Sequence, residues 1–356
     1  MAEPVAMVLC AGLGTRLRPL TDRLPKPAVP LCDVPLIAWT LALLRGAGVR
    51  RAVVNTHHLA PQMAEAAAAS ARSLGMALAV SHETNLAGTG GALREARGLL
   101  EGGRPLVVVN GDVLFDLHLP AVLSAHAVSG ALATLVLLPM PAGTNYATVE
   151  VDGGGAVRRI ARSYGPGGSG LTPWHFSGVH VLDPELIGRI PAEPYLSDVN
   201  RQVYPPLLGG GRIRGYVAQG YWNDLGTPAR YLEATRDVLL GRVPAGRFGG
   251  AEPLSAASTV APGVRAGPGA RVALGARLAG PSYLGPFARV EAGAEVGPAA
   301  VIGAGVVVPS GAVVRRSVLW PGTALGPGER VEDAVAVDEL RVGGGSPSAP
   351  TTGRPF

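Results

Sequence analysis

The sequence predicts an α/β domain built on a mixed, mostly parallel sheet, followed by a parallel β-helix. Within residues 1–242, short apolar runs alternate with helical patterns, which is typical of a sheet covered by helices on both faces. From residue 260 onward, apolar residues recur every six positions with Gly and Pro between them, which is typical of stacked β-helix coils. The length of 356 residues fits about two domains, at roughly 150 residues each.

The first region supplies the elements of the predicted sheet. Apolar runs predict buried strands over 6–10, 52–54, 77–80, 106–109 and 131–138. Helical patterns lie between them at 61–74 and 91–100. Later segments predict added strands over 148–151, 176–182 and 213–218 and a closing helix over 227–240. Because ligands of such sheets bind at the carboxyl ends of the strands, we expect the functional site there.

The six-residue period defines the second region. A helix would need apolar spacings of three and four, so this period excludes a helical stripe. The register then slips by one residue to Leu325 and resumes at Val331 and Val337. The uninterrupted part of the register consists of Val260, Ala266, Val272, Leu278, Leu284, Val290, Val296, Ile302, Val308, Val314 and Trp320.

The change from alternating strand and helix patterns to the six-residue period predicts the domain boundaries. We expect a catalytic domain over 1–242, a Gly/Pro/Ala-rich linker over 243–259, and the hexapeptide-repeat β-helix over 260–338. The final segment, 339–356, soon loses any apolar pattern and is expected to be disordered.

Composition excludes several classes of protein. Hydrophobic residues make up 47% and charged residues 16% of the chain, which argues against disorder. Cys10 and Cys32 are the two cysteines, and no leader is recognisable, so we expect a reducing cytoplasm. No apolar run is long enough to span a membrane. The net charge of +5 comes from scattered residues without interleaved aromatics, so nucleic acid is not an expected partner.

The loop after the first strand carries the first chemical motif. Gly12 and Gly14 directly follow a buried strand, where glycines let backbone N–H groups turn toward an anion such as phosphate. Arg16 and Lys26 add positive charge suited to a triphosphate and to a departing pyrophosphate. Lys26 is the single lysine among 31 basic residues, which indicates that a compact ammonium is needed there. The alternatives are an ordinary turn and chance survival of one lysine.

Two aspartates form the second motif. Asp112 ends one predicted strand and Asp224 follows another, so both are expected to meet in one crevice. Mg²⁺ is typically held by one or two carboxylates plus phosphate oxygens, and would orient the phosphates for in-line attack. As alternatives, Asp112 is a turn residue and Asp224 a helix cap.

The loop resembles a known family signature. Residues 12–27, as G-x-G-T-R-L-x-P-L-T-x-x-x-P-K-P, are similar to the signature of the sugar-phosphate nucleotidyltransferases, or NDP-sugar pyrophosphorylases. The rest of the chain follows the family's order, and hexapeptide tails are common in it, notably among mannose-1-phosphate guanylyltransferases. The further similar segments are Glu83 with LAGTGGAL (86–93), NGD (110–112), FSGV (176–179) and WNDLGT (222–227).

The resemblance implies a Rossmann-like nucleotidyltransferase domain with a left-handed β-helix, and assigns the site residues. It implies transfer of a nucleotidyl group from a nucleoside triphosphate to a sugar 1-phosphate, releasing pyrophosphate, with Mg²⁺ as cofactor. The implied catalytic residues are Arg16, Lys26, Asp112 and Asp224, and the two aspartates are the metal ligands. The implied nucleotide-binding residues are Ala11, Gly12, Gly14, Thr15, Arg16, Glu83, Gly88, Thr89, Gly90 and Gly111, and the sugar-binding residues are Tyr146, Ala147, Ser177 and Gly178.

The sugar and the base stay open. Arg162, Ser163 and Tyr164 stand where many relatives have Glu-Lys-Pro, and Ala87 is one extra residue in the base loop. Mannose-1-phosphate guanylyltransferase is the expected activity. The alternatives are a uridylyl- or thymidylyltransferase for a glucose, heptose or muramic acid phosphate, and a catalytically silent regulatory subunit. An acyltransferase site in the β-helix is disfavoured because the repeats contain no histidine. A homo-oligomer, formed through either domain, is expected.

Overall fold

The computed structural model describes residues 3–141, 146–161, 165, 168–193, 195, 197–244, 248 and 257–345. These residues form two compact units. Unit 1 contains residues up to Leu13 together with Leu43–Trp222, and unit 2 contains Gly14–Ala42 together with residues from Asn223 onward. Within the described ranges, no helix is both long and apolar enough to cross a membrane.

The helices and the strands of the first region have the following bounds. The α-helices are α1 (Leu36–Gly46), α2 (Ala60–Ser73), α3 (Gly88–Glu95), α4 (Arg97–Leu100), α5 (Leu119–Ser129) and α6 (Pro228–Leu239). The strands are β1 (Val5–Leu9), β2 (Pro30–Leu31), β3 (Val34–Pro35), β4 (Arg51–Thr56), β5 (Ala77–His82), β6 (Leu106–Asn110), β7 (Leu114–Phe115), β8 (Ala133–Leu138), β9 (Thr148–Val151), β10 (Val157–Ile160), β11 (Thr172–Leu182), β12 (Ile213–Val217) and β13 (Trp222–Asn223).

The repeat region consists of short strands. They are β14 (Ser258–Ala261), β15 (Val264–Ala266), β16 (Arg271–Val272), β17 (Arg277–Leu278), β18 (Ser282–Leu284), β19 (Arg289–Val290), β20 (Glu295–Val296), β21 (Ala300–Ile302), β22 (Val307–Val308), β23 (Val313–Arg315), β24 (Val318–Leu319), β25 (Arg330–Glu332), β26 (Ala334–Val337) and β27 (Leu340–Gly343).

Unit 1 is built on one mixed sheet. Strands β6, β1, β4 and β5 are neighbours in that order and pair in parallel. Strand β11 pairs antiparallel with β6, β8 and β9 and so extends the sheet beyond its parallel part. This arrangement confirms the predicted fold class. The predicted helix over 91–100 is instead two helices, α3 and α4, and the first begins three residues earlier, at Gly88.

The repeat region in unit 2 is a parallel β-helix with three faces. Its strands stack as β15-β18-β21-β24-β26, β16-β19-β22 and β17-β20-β23-β25. Three hexads make one coil, because Val264 pairs with Ser282 and Ser282 with Ala300. Two predicted interior positions of the first coil, Val260 and Val272, are 44% and 38% exposed, as is common for the terminal repeat of a stack. The left-handed sense of the winding stays a prediction.

The slip in the hexad register occurs one repeat earlier than the sequence pattern indicates. Val296 still pairs with Val314, but Ile302 pairs with Leu319. Leu319 therefore takes the interior position and belongs to the apolar core of the coils, so the prediction of Trp320 for that position is wrong. Because successive side chains of a strand point to opposite faces, the Trp320 side chain lies outside the coil interior.

A tight hairpin precedes helix α1 and carries a buried carboxyl group. Strands β2 and β3 pair so that Cys32 and Asp33 form a two-residue turn, and both have positive φ, as this type of hairpin requires. Asp33 accepts a hydrogen bond from the backbone of Ala304, whereas its Oδ2 atom is buried without a hydrogen-bond partner among the described residues. Burial raises the pKa of Asp33 to about 6.

The Asp33→Asn variant tests this burial. Since the folded-state pKa lies above the unfolded value, the folded protein binds the extra proton, and stability falls as the pH rises from about 4 to about 6. Asp33→Asn should remove this slope and be more stable than the natural protein at pH 7, by about 2 kcal/mol. Urea unfolding across pH 4 to 8 measures the difference. An unchanged pH slope in the variant would contradict the assignment.

Candidate active site

A chain of buried hydrogen bonds joins the ends of three strands in unit 1. The backbone N–H of Cys10 donates to Asn55 Oδ1 at 2.7 Å, and Asn55 Nδ2 donates to Glu83 Oε1 at 2.7 Å. Glu83 Oε2 accepts the backbone N–H of Ala87 at 2.9 Å. Glu83 is buried, so both its oxygens serve the protein. The chain fixes the backbone just before Gly12 and the backbone just before helix α3.

The predicted nucleotide-binding loop lies at the start of helix α3. Gly88 has a φ of 71°, and Thr89 Oγ1 accepts the N–H of Val199 at 3.0 Å. Gly90 N donates to the carbonyl of Ser197 at 2.8 Å, and a Cβ at Gly90 would come within 2.6 Å of Ser197 Oγ. Packing against residues 197–199 therefore accounts for the small residues of this loop, and its nucleotide contacts stay a prediction.

Asp112 follows the end of strand β6, in the partly exposed turn that begins at Gly111. Gly111 N donates to the carbonyl of Leu9 at 2.9 Å. A Cβ at Gly111 would lie 2.6 Å from Cys10 Sγ, so only glycine lets the ends of β6 and β1 approach this closely. Burial, and next the charge of Asp112, raise the pKa of the Cys10 thiol, which favours the protonated thiol over a thiolate nucleophile there.

The predicted sugar-binding residue Tyr146 belongs to a cluster of three rings. Tyr146 contacts His175 at 4.5 Å between ring centroids, and His175 contacts Trp222 at 4.5 Å. Trp222 Nε1 donates to the carbonyl of Ser177 at 2.8 Å. The Ser177 hydroxyl is turned inward and donates to Val136 at 2.8 Å, which attaches β11 to β8.

Two other predicted sugar-site residues adjoin this cluster. Ala147 is partly exposed and follows Tyr146 directly. Gly178 has a φ of 87°, and a Cβ there would lie 2.8 Å from Asn110 Nδ2. Residues 162–164, which replace the family's Glu-Lys-Pro, lie outside the described residues.

The signature loop continues in unit 2. Gly14 has a φ of 61° and begins the short helical turn Thr15–Leu17, while Thr21 Oγ1 donates to the Gly14 carbonyl at 2.9 Å. A Cβ at Gly14 would lie 3.3 Å from Lys26 Cβ. Lys26 is 5% exposed and begins the turn Lys26–Ala28. The signature is therefore folded back on itself, with Lys26 beside Gly14.

Asp224 is held between two guanidinium groups of the same unit. Its Oδ1 lies 2.8 Å from Arg230 Nε, and its Oδ2 lies 3.5 Å from Arg16 Nη2. Gly226 N also donates to Oδ1 at 3.1 Å. Thr227, not Asp224, is the N-cap of helix α6, which rules out the helix-cap alternative. The structure thus brings predicted residues Arg16 and Asp224 together.

Sequence reasoning missed Asn55, which bonds to Glu83 in unit 1, and Arg230, which pairs with Asp224 in unit 2. Asn55 directly follows the apolar run 52–54 of strand β4 and is buried, which is a usable signal for a buried polar role. Arg230 lies in the first turn of α6, and nothing in the pattern separates it from other surface arginines.

Magnesium fits the chemistry of the predicted ligands. Asp112 and Asp224 both offer carboxylate oxygens, the hard donors that Mg²⁺ prefers. Among the described residues, no group of three or more His, Cys, Asp or Glu could hold a metal ion. Such a group is not required where substrate phosphates and water complete the coordination.

The family model for nucleotidyl transferases matches residues 5–240. The chain therefore belongs to the nucleotidyl transferase family. The sequence is 32% identical to mannose-1-phosphate guanylyltransferase of Mycobacterium tuberculosis, over 67% of this chain and 66% of that protein. It is 28% identical to the catalytic subunit beta of that enzyme from Danio rerio, over 68% of each chain, and 27% identical to the Dictyostelium discoideum subunit, over 64% and 62%. These findings confirm the predicted sugar-phosphate nucleotidyltransferase family.

Gly178→Ala tests the close approach of β11 and β6 at the site. Alanine there must adopt a left-handed φ and displace Asn110, so we expect a loss of about 2 kcal/mol in the free energy of unfolding. Gly153→Ala is the matched control, because a Cβ at Gly153 meets no atom within 4 Å and should leave stability within about 0.5 kcal/mol. Urea unfolding compares the two, and equal stabilities would contradict the packing described.

Proposed function

We propose that this protein transfers a guanylyl group from GTP to mannose 1-phosphate and releases pyrophosphate. The observation that carries the reaction type is the pairing of Arg16 in the signature loop with the family's second aspartate, Asp224, at 3.5 Å. The names of the similar proteins support the choice of nucleotide and sugar. The reaction occurs in the cytoplasm, where we expect the chain to act as a homo-oligomer.

Phosphoryl chemistry explains the basic residues of the loop. An oxygen of the sugar phosphate attacks the α-phosphorus of GTP as the bond from that phosphorus to the bridging oxygen of the β-phosphate breaks. Negative charge grows on the departing pyrophosphate, and fixed cations stabilise it. Lys26 supplies a compact ammonium and Arg16 a guanidinium for this charge.

Lys26 is suited to this role by its surroundings. Its side chain is buried, and it is fixed at the start of a short helical turn whose Ala28 N–H donates to Pro25 at 2.8 Å. A lysine held in this way needs little reorganisation when charge develops on the substrate.

Asp112 and Asp224 are the proposed ligands of Mg²⁺. When bound, the ion neutralises phosphate oxygens and orients them for in-line displacement. Arg230 orients the Asp224 carboxylate, because it approaches Oδ1 at 2.8 Å. Glu83 acts through the protein by holding the backbone at Ala87, and Gly88, Thr89 and Gly90 line the proposed nucleotide loop.

A grid of substrates tests the proposed function. Pyrophosphate release with Mg²⁺ is measured for GTP, UTP, dTTP, CTP and ATP against the 1-phosphates of mannose, glucose, heptose and N-acetylmuramic acid. We expect one dominant pair, GTP with mannose 1-phosphate. Dominance of UTP or dTTP would replace the proposed nucleotide. Silence of folded protein across the grid would favour a regulatory subunit and overturn the catalytic proposal.

Lys26→Arg tests the requirement for a compact ammonium. The guanidinium keeps the charge, but it is planar and larger than the ammonium and cannot place the charge at the same point in the buried position. We therefore expect kcat to fall about 100-fold. Arg72→Lys, on the exposed face of helix α2, is the control and should keep the natural rate. Natural turnover in Lys26→Arg would remove Lys26 from the proposed role.

A further inference from the structure

The register slip in the β-helix turns a tryptophan away from the coils and toward helix α6. Leu319 takes the interior position, and the Trp320 side chain points to the other face. Trp320 is nevertheless buried, at 2% exposure. Its indole Nε1–H donates to the hydroxyl of Tyr231 at 3.1 Å. An indole has one donor and no acceptor, so Trp320 is the donor and the Tyr231 oxygen is the acceptor in this bond.

Tyr231 also forms a hydrogen bond with the segment that follows Lys26. The tyrosine is fully buried, and its hydroxyl donates to the carbonyl of Pro30. Burial raises the pKa of Tyr231, so the hydroxyl keeps the proton that it donates. In the same segment, the N–H of Val29 donates to the carbonyl of Lys26 at 3.1 Å. Two hydrogen bonds thus connect the β-helix to Pro30, and the covalent chain from Pro30 to Val29 together with the Val29–Lys26 hydrogen bond connects Pro30 to the backbone of Lys26.

The surrounding backbone makes this connection rigid. Leu36 N donates to the Val29 carbonyl at 3.0 Å, which closes the β2–β3 hairpin on the same segment. Helix α6, which carries Tyr231, packs against β26 and β27. A Cβ at Gly344 would lie 2.8 Å from Leu232 of that helix, so the packing there is close. Displacement of the Tyr231 hydroxyl would therefore be transmitted to residues 26–30.

We propose that Trp320 is a positioning residue for Lys26, acting through Tyr231 and Pro30. The β-helix then has a role in catalysis that is separate from assembly: it holds the lysine segment in place from outside the nucleotidyltransferase region. The kinetic part of this inference rests on the proposed function of Lys26, whereas the structural part does not.

The single lysine gives the inference a direct spectroscopic test. Protein labelled with ¹³C in lysine yields one set of side-chain resonances, because Lys26 is the only lysine of the chain. Tyr231→Phe keeps the ring and removes the hydroxyl, and Trp320→Phe removes the indole donor. Both variants should shift or broaden the Lys26 signals in the full-length protein. Unchanged signals in both variants would overturn the proposal.

Thr323→Val is the matched control. Thr323 lies in the turn that follows Trp320, is buried, and donates from Oγ1 to Ala336 at 3.1 Å. Its loss removes one buried hydrogen bond of the β-helix without touching Tyr231. The Thr323→Val signals should match those of the natural protein. An equal shift in this control would mean that any loosening of the coils moves Lys26, and would overturn the specific role of Trp320.

Steady-state kinetics complete the test. We expect kcat to fall about tenfold in Trp320→Phe and Tyr231→Phe with little change in KM, because misplacement of a charge that acts in the transition state lowers kcat. The double variant should be no slower than Tyr231→Phe, since Trp320 acts through that hydroxyl. Natural kcat in both single variants overturns the inference. A third outcome separates the two proposals. If the variants shift the Lys26 signals but the natural protein shows no activity with any substrate pair, the positioning of Lys26 by Trp320 stands and the proposed function is refuted.

Discussion

The pairing of Asp224 with Arg230 and Arg16 connects the two separate stretches of chain that form unit 2. Asp224 lies in the turn before helix α6, Arg230 on that helix, and Arg16 in the signature loop. A buried carboxylate needs such partners, because an unpaired charge out of water is costly. The requirement for compensation therefore ties the position of the signature loop to that of α6.

Helix α6 is in turn held by the β-helix. Tyr231 follows Arg230 directly and contacts both Pro30 and Trp320, so neighbouring residues of one helix fix Asp224 on one side and the Lys26 segment on the other. Asp33, in the next turn of the chain, accepts from Ala304 of the coils. These contacts explain why residues 14–42 form one compact unit with the residues from 223 onward, although along the chain the signature follows strand β1 of unit 1.

Local patterns predicted much of this fold. Strands β9 and β11, helix α2 and the coils follow from apolar periodicity, which depends on neighbouring residues alone. The hexad pattern places the slip one repeat too late because Leu319 and Trp320 are both apolar and adjacent, so hydrophobicity cannot decide which one points inward. Asp112 and Asp224 are predicted as site residues from their places after strands, and that role stays a prediction. The side chains that contact the predicted site residues are not predicted from the sequence. The pairing of Asp224 with Arg230 and the burial of Glu83 depend on contacts that sequence spacing does not encode.

Asp112 and Asp224 are proposed to serve the same catalytic step as ligands of one Mg²⁺ ion. The most direct measurement is a double-mutant cycle on kcat for pyrophosphate release, with Asp112→Asn, Asp224→Asn and the double variant at saturating substrates and Mg²⁺. If both hold one ion, each single variant should lose at least about 100-fold, and the double variant should lose little more. Natural turnover in either single variant, or losses that multiply in the double variant, would contradict the account.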